Sequence, residues 1–279
     1  MRLSAVLLVF KEQDFIQATI KAIYPVVDTI CCVTQRDRNF SGGPITPDQT
    51  IERILALPDP DNKIRIVVRR QLDDVPGLNS EARLRNAAIQ LDPEADYRLI
   101  IDSDEIWETE TLRAVWNYIQ EKQHSAFRIS SRCYFSKWNY RVVEPGEGYR
   151  PLVFLRKGFL FKQDRQIEWH GRARWGEYFR TGRKPKTSYL PKQWYLHHGS
   201  GVGNDTRILT KIQNYGHKDL VAQDWFEQVW KNFDANSKNF HYFQGSGSLY
   251  EAVEQIPTAE LPPEIREQSW PEGWLLPQG

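Results

Sequence analysis

The sequence is poor in cysteine, with three in 279 residues, and two of these, Cys31 and Cys32, are adjacent. Three cysteines are too few for a disulfide scaffold. Adjacent residues of a strand point to opposite faces, so this pair does not bridge easily. The cysteine content predicts a reducing compartment, and we expect a cytoplasmic protein.

Long apolar runs are missing as well. Residues 1–10 are apolar for about seven positions before charged residues follow, which is short for a signal peptide and far short of a membrane span. No later stretch is long enough either. We therefore expect a soluble protein, while peripheral membrane contact stays open.

Neither sign of charge is in clear excess overall, because 37 Lys and Arg oppose 36 Asp and Glu. The distribution is uneven, since residues 150–192 contain twelve basic and three acidic residues. A basic middle section suits a ligand that carries phosphate, and a solvated basic surface explains it equally well. Nucleic acid is the weaker alternative, and we predict no nucleic-acid partner.

Apolar runs alternate with amphipathic segments over the first 120 residues. Strands are predicted at 3–10, 29–34, 64–68 and 97–101, and helices at 14–23, 48–57, 80–90 and 110–120. This order predicts an α/β fold with a mostly parallel sheet flanked by helices. Right-handed crossovers place the carboxyl ends of the strands at one edge, where open sheets bind ligands.

The second half of the chain has a weaker pattern. Strands are predicted at 125–135 and 152–155, loops and hairpins over the site at 146–192, and a helix at 219–233. The proline-rich tail from Pro257 is expected to lie on the surface without a fold of its own. We predict one main domain over residues 1–218, with residues 219–279 as a C-terminal helix and tail packed on it.

The most informative segment is the acidic stretch at 102–105, which follows the apolar residues 99–101. Side chains alternate along a strand, so Asp102 and Asp104 are expected on one side and Ser103 on the other. Two like charges this close repel each other unless a cation lies between them. The segment therefore predicts a divalent-metal site.

Capping of the following helix is the alternative explanation for these carboxylates. Thr109 is expected to cap that helix and Glu110 to supply an acid in its first turn, so the earlier carboxylates exceed what capping needs. His198 is a candidate third metal ligand, because neutral imidazole commonly binds metals. A structural role is the alternative for a lone histidine.

Three arginines are candidate donor-binding residues. Arg36 follows the second predicted strand by two positions and so lies near the same edge. Arg83 and Arg85 lie on the helix before the acidic strand. One of them is expected to face the cleft and contact a diphosphate or orient the carboxylates, and an exposed helix face is the alternative.

An Asp-x-Asp motif at a strand end, preceded by an Arg-Asn helix, resembles the GT-A glycosyltransferases. Residues 101–106, Ile-Asp-Ser-Asp-Glu-Ile, are more similar still to the bisecting (beta-1,4-mannosyl-glycoprotein) N-acetylglucosaminyltransferase-like family. In that family a Trp-His-x-Ser stretch and a Lys-to-His segment follow. Here Trp194 lies four residues before His198, and Lys211 begins a segment that reaches His217.

The resemblance implies transfer of a sugar from a nucleotide-diphosphate sugar to a hydroxyl of a glycan or other acceptor, with inversion. It also implies Mn²⁺ or Mg²⁺, with UDP as the expected nucleotide. Asp102, Asp104 and His198 would be the metal ligands, with Asp104 also catalytic and Asp102 also at the donor. Residues 1–124 would form the donor half and 125–218 the acceptor half.

Inverting transfer also needs a carboxylate base, for which Glu168 is the candidate because the adjacent Trp169 could stack on a sugar ring. Glu177 and Asp224 are its rivals. Arg172 and Arg174 are expected to help neutralise the departing diphosphate.

Two other functions stay open. A nucleotidyltransferase or phosphohydrolase could use the same acidic edge, but residues 10–12 (Phe-Lys-Glu) contain no glycine-rich phosphate loop. A non-catalytic carbohydrate-binding protein could stack sugars on the ten tryptophans, although it has no need for a diphosphate site. The oligomeric state is not predicted by the sequence.

Overall fold

The computed structural model describes residues 1–35, 48–69, 78–143, 148–168, 184–214, 218–242 and 250–277. The strands are β1 (Leu3–Leu8), β2 (Thr29–Gln35), β3 (Ile64–Arg69), β4 (Tyr97–Asp102), β5 (Glu105–Ile106), β6 (Ala126–Arg128), β7 (Ser130–Val142), β8 (Leu152–Arg156), β9 (Phe161–Gln163), β10 (Gln166–Ile167), β11 (Thr187–Tyr189), β12 (Tyr195–Val202) and β13 (Val253–Gln255). The α-helices are α1 (Ile16–Ile23), α2 (Thr50–Leu55), α3 (Leu78–Ile89), α4 (Thr109–Lys122), α5 (Asp205–Asn214) and α6 (Pro263–Arg266).

A seven-stranded sheet in the order β11-β6-β8-β4-β1-β2-β3 forms the centre of the fold. β1, β2, β3 and β4 pair in parallel, whereas β8 runs antiparallel to both β4 and β6. Every residue of β1 and β2 is buried, as strands covered on both faces require. The predicted α/β fold with a mostly parallel sheet is confirmed.

Helices cover both faces of this sheet. One apolar core includes Cys32 and residues of α1 and α4, and a second core includes Cys31 and residues of α3. The adjacent cysteines therefore lie on opposite faces, as their spacing predicts, and both are free thiols. Among the described residues, no helix combines the length and apolar character that crossing a bilayer requires.

A four-stranded sheet, β13-β7-β12-β5, packs beside the first. The single strand predicted at 125–135 is wrong, because the chain leaves the first sheet after β6 and enters the second with β7. Ile129 is fully buried between the two strands and belongs to the core under the first sheet. The segment predicted as one strand thus spans two strands of different sheets.

The C-terminal expectations need two corrections. The helix predicted at 219–233 is broken: a 3-10 turn at Lys218–Leu220 is separated from a π-helical turn at Phe226–Trp230, and Asp224 between them has a left-handed φ of 57°. The proline-rich tail has structure of its own, a 3-10 turn at Thr258–Glu260 followed by α6. It also buries Trp274 against Phe15, with ring centroids 5.3 Å apart.

Candidate functional site

A cavity of about 710 Å³ lies at the carboxyl ends of β1 and β4. These strands are in register, with Leu8 opposite Asp102, so the loops that follow them meet at one edge. The cavity wall is completed by residues 10–14, by α3, by the turn between β9 and β10, and by α5. The cavity thus lies at the edge of the sheet that the order of strands and helices predicts.

Asp102 ends β4, and two arginines hold its carboxylate. Arg85 of α3 donates from Nη1 to Oδ1 at 3.1 Å, and Nη2 of Arg165 lies 2.8 Å from Oδ2. Arg85 is 1% exposed and lines the cavity, so it is the arginine of α3 that faces the cleft. Arg83 is exposed and lies outside the cavity wall, which fits the alternative of a charged helix face.

Glu105 lies behind Asp102 and is completely buried. Its Oε2 accepts hydrogen bonds from Nη2 of Arg165 at 2.7 Å and from the backbone N–H of Asp102 at 2.9 Å. Burial raises the pKa of Glu105, and Arg165 opposes that rise. Arg165 therefore neutralises two carboxylates from the core side of the site.

Asp104 is held separately from Asp102. The strand ends at Asp102, and Ser103 and Asp104 form a turn, so the strict alternation expected over 102–104 does not extend to Asp104. Oδ2 of Asp104 accepts a hydrogen bond from Nζ of Lys211 and lies 3.7 Å from Nη2 of Arg207. Burial alone would raise the pKa of Asp104, but Lys211, His198 and Arg207 together lower it well below its usual value.

His198 is brought to the same turn by strand pairing. In β12 it lies opposite Glu105 of β5, and the N–H of the next residue, Gly199, donates to the carbonyl oxygen of Asp104 at 2.8 Å. Nε2 of His198 then lies 4.0 Å from Oδ1 of Asp104. The ring stacks on Tyr149, with centroids 4.8 Å apart.

The neighbouring His197 has a different environment. It is 1% exposed, with Nδ1 2.7 Å from Oη of Tyr134 and Nε2 3.1 Å from Oε1 of Glu108. Burial lowers the pKa of His197, although Glu108 opposes the change. Because successive residues of a strand face opposite ways, only His198 of this pair reaches the cavity.

Two other predicted residues lie outside the cavity wall that the described residues form. Glu168 is exposed at the end of β10 and is not part of the cavity wall formed by the described residues. Asp224 is exposed in its left-handed turn and is likewise absent from that wall. The candidates Arg36, Arg172, Arg174 and Glu177 lie outside the described residues. The cap of α4 is Glu108, not Thr109, which is the first helical residue.

Sequence reasoning missed several cavity residues. Glu12, Arg207, Lys211, Glu81 and Asp164 all line it. Burial raises the pKa of Glu81 to about 8, against the opposing effect of Arg85. The signal that could have found Arg207 and Lys211 is their i, i+4 spacing, which places both on one face of a helix just after the histidine segment.

The expected divalent cation can be tested against these side chains. Among the described residues, no group of three or more His, Cys, Asp or Glu side chains is arranged to hold a metal ion. Both carboxylate oxygens of Asp102 already pair with arginines. Oδ1 of Asp104 and Nε2 of His198 lie 4.0 Å apart and would hold the ion better, because carboxylate oxygen and imidazole nitrogen are both common metal ligands.

Comparisons with known proteins give partial similarities. No protein-family profile and no curated protein sequence matches the chain. The crystal structure of S. aureus TarS 1-349 is similar with a TM-score of 0.43 and 16% identity, over 72% of this chain and 61% of that one. TarS in complex with UDP-GlcNAc gives 0.43 and 14%, over 73% and 59%.

Glucosyl-3-phosphoglycerate synthase from Mycobacterium tuberculosis, in complex with Mn²⁺, UDP-Glc and phosphoglyceric acid, is also similar. Its TM-score is 0.35 and its identity 22%, over 47% of this chain and 44% of that one. The chain thus spans less than two thirds of the length of each of these solved chains.

Proposed function

We propose that this protein is a metal-dependent glycosyltransferase of the GT-A type, which moves a sugar from a nucleoside-diphosphate sugar to a hydroxyl group with inversion. One observation carries the proposal: Asp104 and His198, distant in sequence, lie 4.0 Å apart at the carboxyl end of the central strand and face one cavity. From the order of the three sequence motifs, we propose that it resembles the bisecting N-acetylglucosaminyltransferase-like family most.

The cavity suits such a donor in size and chemistry. Its volume of about 710 Å³ lies within the range of small-molecule sites, roughly 300–1,000 Å³. Arg85, Arg207 and Lys211 line it and can bind diphosphate oxygens, because guanidinium and ammonium groups form strong charge-assisted hydrogen bonds with phosphate. We infer a donor with a charged diphosphate and a glycan or other hydroxyl-bearing acceptor.

The proposed reaction needs the charge that develops on the departing diphosphate to be neutralised. A bound Mn²⁺ or Mg²⁺ would supply Lewis-acid stabilisation there. Asp104 and His198 would hold it, and Asp102, whose oxygens are on arginines, would fix Arg85 toward the donor. Arg207 and Lys211 would add positive charge at the same point.

The proton of the acceptor hydroxyl must go to a base. Glu168 remains our candidate from the sequence, and Asp164, in the same hairpin, is a rival because its carboxylate lines the cavity. We expect Glu168→Gln to lower kcat while leaving UDP affinity within about threefold. Turnover with a stronger added nucleophile such as azide should survive in that variant.

The test of the whole proposal is release of UDP from UDP-GlcNAc and UDP-Glc, measured with Mn²⁺ and with EDTA. We expect Mn²⁺-dependent release, and Asp104→Asn should lower it by about a hundredfold or more. Asp61→Asn is the matched control, because Asp61 pairs with Lys63 at a side-chain exposure of 60%, outside the cavity wall.

Three outcomes would contradict the proposal. Full turnover by Asp104→Asn would remove the proposed role of the strand end. Phosphate or pyrophosphate release from nucleoside triphosphates, without sugar transfer, would favour a nucleotidyltransferase or phosphohydrolase. Glycan binding that survives EDTA and needs no nucleotide sugar would favour a carbohydrate-binding protein.

A further inference from the structure

Four charged side chains form a compact cluster between the acidic turn and α5. Lys211 donates to Oδ2 of Asp104 and lies 3.7 Å from Oε1 of Glu12, while Nη2 of Arg207 lies 2.9 Å from Oε2 of Glu12. The side chains of Asp104 and Arg207 are 8% exposed, that of Glu12 14% and that of Lys211 20%. With both carboxylates ionised, the cluster contains two positive and two negative charges and is therefore close to neutral.

This arrangement conflicts with tight binding of a bare divalent cation. An ion at Oδ1 of Asp104 would lie beside the ammonium group on the other oxygen of the same carboxylate. Like charges within about 4–6 Å repel strongly where water is largely excluded. Asp104 is neutralised by the protein itself, so a cation alone gains little there.

A nucleoside diphosphate changes this balance. Its phosphate oxygens bring negative charge for the cation and offer Lys211 a new partner. A lysine ammonium has three donors on a flexible four-carbon stem, so it can change partners without movement of the helix. Arg207 can stay on Glu12, because its guanidinium already binds that carboxylate.

We infer that Lys211 occupies Asp104 in the ligand-free protein and transfers to the diphosphate of the donor when cation and nucleotide bind together, so that neither ligand binds tightly alone. This inference rests on the proposed function and assigns Lys211 as the residue that couples the two ligands. Lys211 competes with the cation for Asp104 and is a binding residue for the nucleotide.

The experiment measures Mn²⁺ affinity by electron paramagnetic resonance of free Mn²⁺, with and without UDP. In Lys211→Met, Mn²⁺ alone should bind about tenfold more tightly than in the wild type, because the competing ammonium is gone. UDP affinity in the presence of Mn²⁺ should fall by about tenfold, because the diphosphate loses a charged partner. Mn²⁺ and UDP associate in solution too, so the difference between variants is the decisive quantity.

Two further variants control the measurement. Lys211→Arg keeps the charge, and we expect it to keep the weak binding of Mn²⁺ alone. Lys157→Met removes a lysine from an exposed pair with Glu94 (2.9 Å) and should change nothing. Arg207 stays near both carboxylates in Lys211→Met, so the variant should fold, and Lys211→Gln serves as a second neutral replacement.

Unchanged affinity for Mn²⁺ alone in Lys211→Met and Lys211→Gln would overturn the inference, as would tighter Mn²⁺ binding by Lys211→Arg. If the wild type binds Mn²⁺ and UDP together while these variants behave like it, the inference fails and the proposed function stands. If the wild type binds none of UDP, GDP, ADP and CDP, with or without Mn²⁺, the proposed function fails.

Discussion

Arg165 neutralises the core side of the acidic strand end, and its replacement by methionine tests this role directly. The change removes the guanidinium that lies 2.7 Å from Oε2 of Glu105 and 2.8 Å from Oδ2 of Asp102. Glu105 is completely buried, and loss of one partner from a buried ion pair costs about 3–5 kcal/mol. The N–H of Asp102 and Oη of Tyr149 still donate to Glu105, and Arg85 still binds Asp102. We therefore expect the free energy of unfolding to fall by about 3 kcal/mol, at the low end of this range.

The assay is denaturant unfolding of Arg165→Met at pH 8 and pH 5. Burial already raises the pKa of Glu105, and loss of Arg165 should raise it further, so the proton bound at pH 5 relieves part of the cost. The destabilisation should therefore be larger at pH 8. Glu105→Gln in the Arg165→Met background should restore stability, because it removes the unpaired charge. A variant within about 1 kcal/mol of the wild type at pH 8 would refute this account of the buried pair.

Two further predictions concern Glu81 in the cavity wall and Gly199 beside that wall. The pKa of Glu81 is raised to about 8 by burial, so the folded state holds a proton that the unfolded state has lost between about pH 5 and pH 8. Glu81 thus makes the free energy of unfolding fall as pH rises through that window. Glu81→Gln should flatten this dependence on pH, and an unchanged slope would contradict the raised pKa of Glu81. In Gly199→Ala, a Cβ would lie 2.6 Å from Cε1 of Phe15 and from Cη2 of Trp138. We therefore expect the free energy of unfolding, measured with denaturant, to fall by about 1–3 kcal/mol, whereas Ser200→Ala should show no such loss.

The first four strands and their helices could be predicted because each carries a local signal. β1, β2 and β4 are mainly apolar, and nearly all of their residues are buried, as strands covered on both faces require. The acidic residues after β4 mark the edge where the cavity lies. The chemistry of imidazole makes His198 a candidate, and the structure places its Nε2 4.0 Å from Oδ1 of Asp104.

The partners of these carboxylates could not be predicted in the same way. Arg165 lies in a tight turn between the short strands β9 and β10, where periodicity carries no information. Its contact with Asp102 and Glu105 depends on how that hairpin packs over the strand end. Which arginine binds which carboxylate is a property of tertiary packing, and local sequence patterns do not contain it.

The two-residue strand β5 explains why the site is nevertheless well defined. Glu105 and Ile106 follow the acidic turn directly and pair with His198 and His197 of β12, so the second sheet is attached to the end of the first. The same ladder places Gly199 against the carbonyl oxygen of Asp104. Backbone hydrogen bonds between the two strands thus hold the side chain of His198, from the second sheet, beside the carboxylate of Asp104. No long flexible connection is involved. The separation of Asp104 and His198 is fixed by the register of two strands, which is the kind of rigid support that a binding site for a small charged ligand needs.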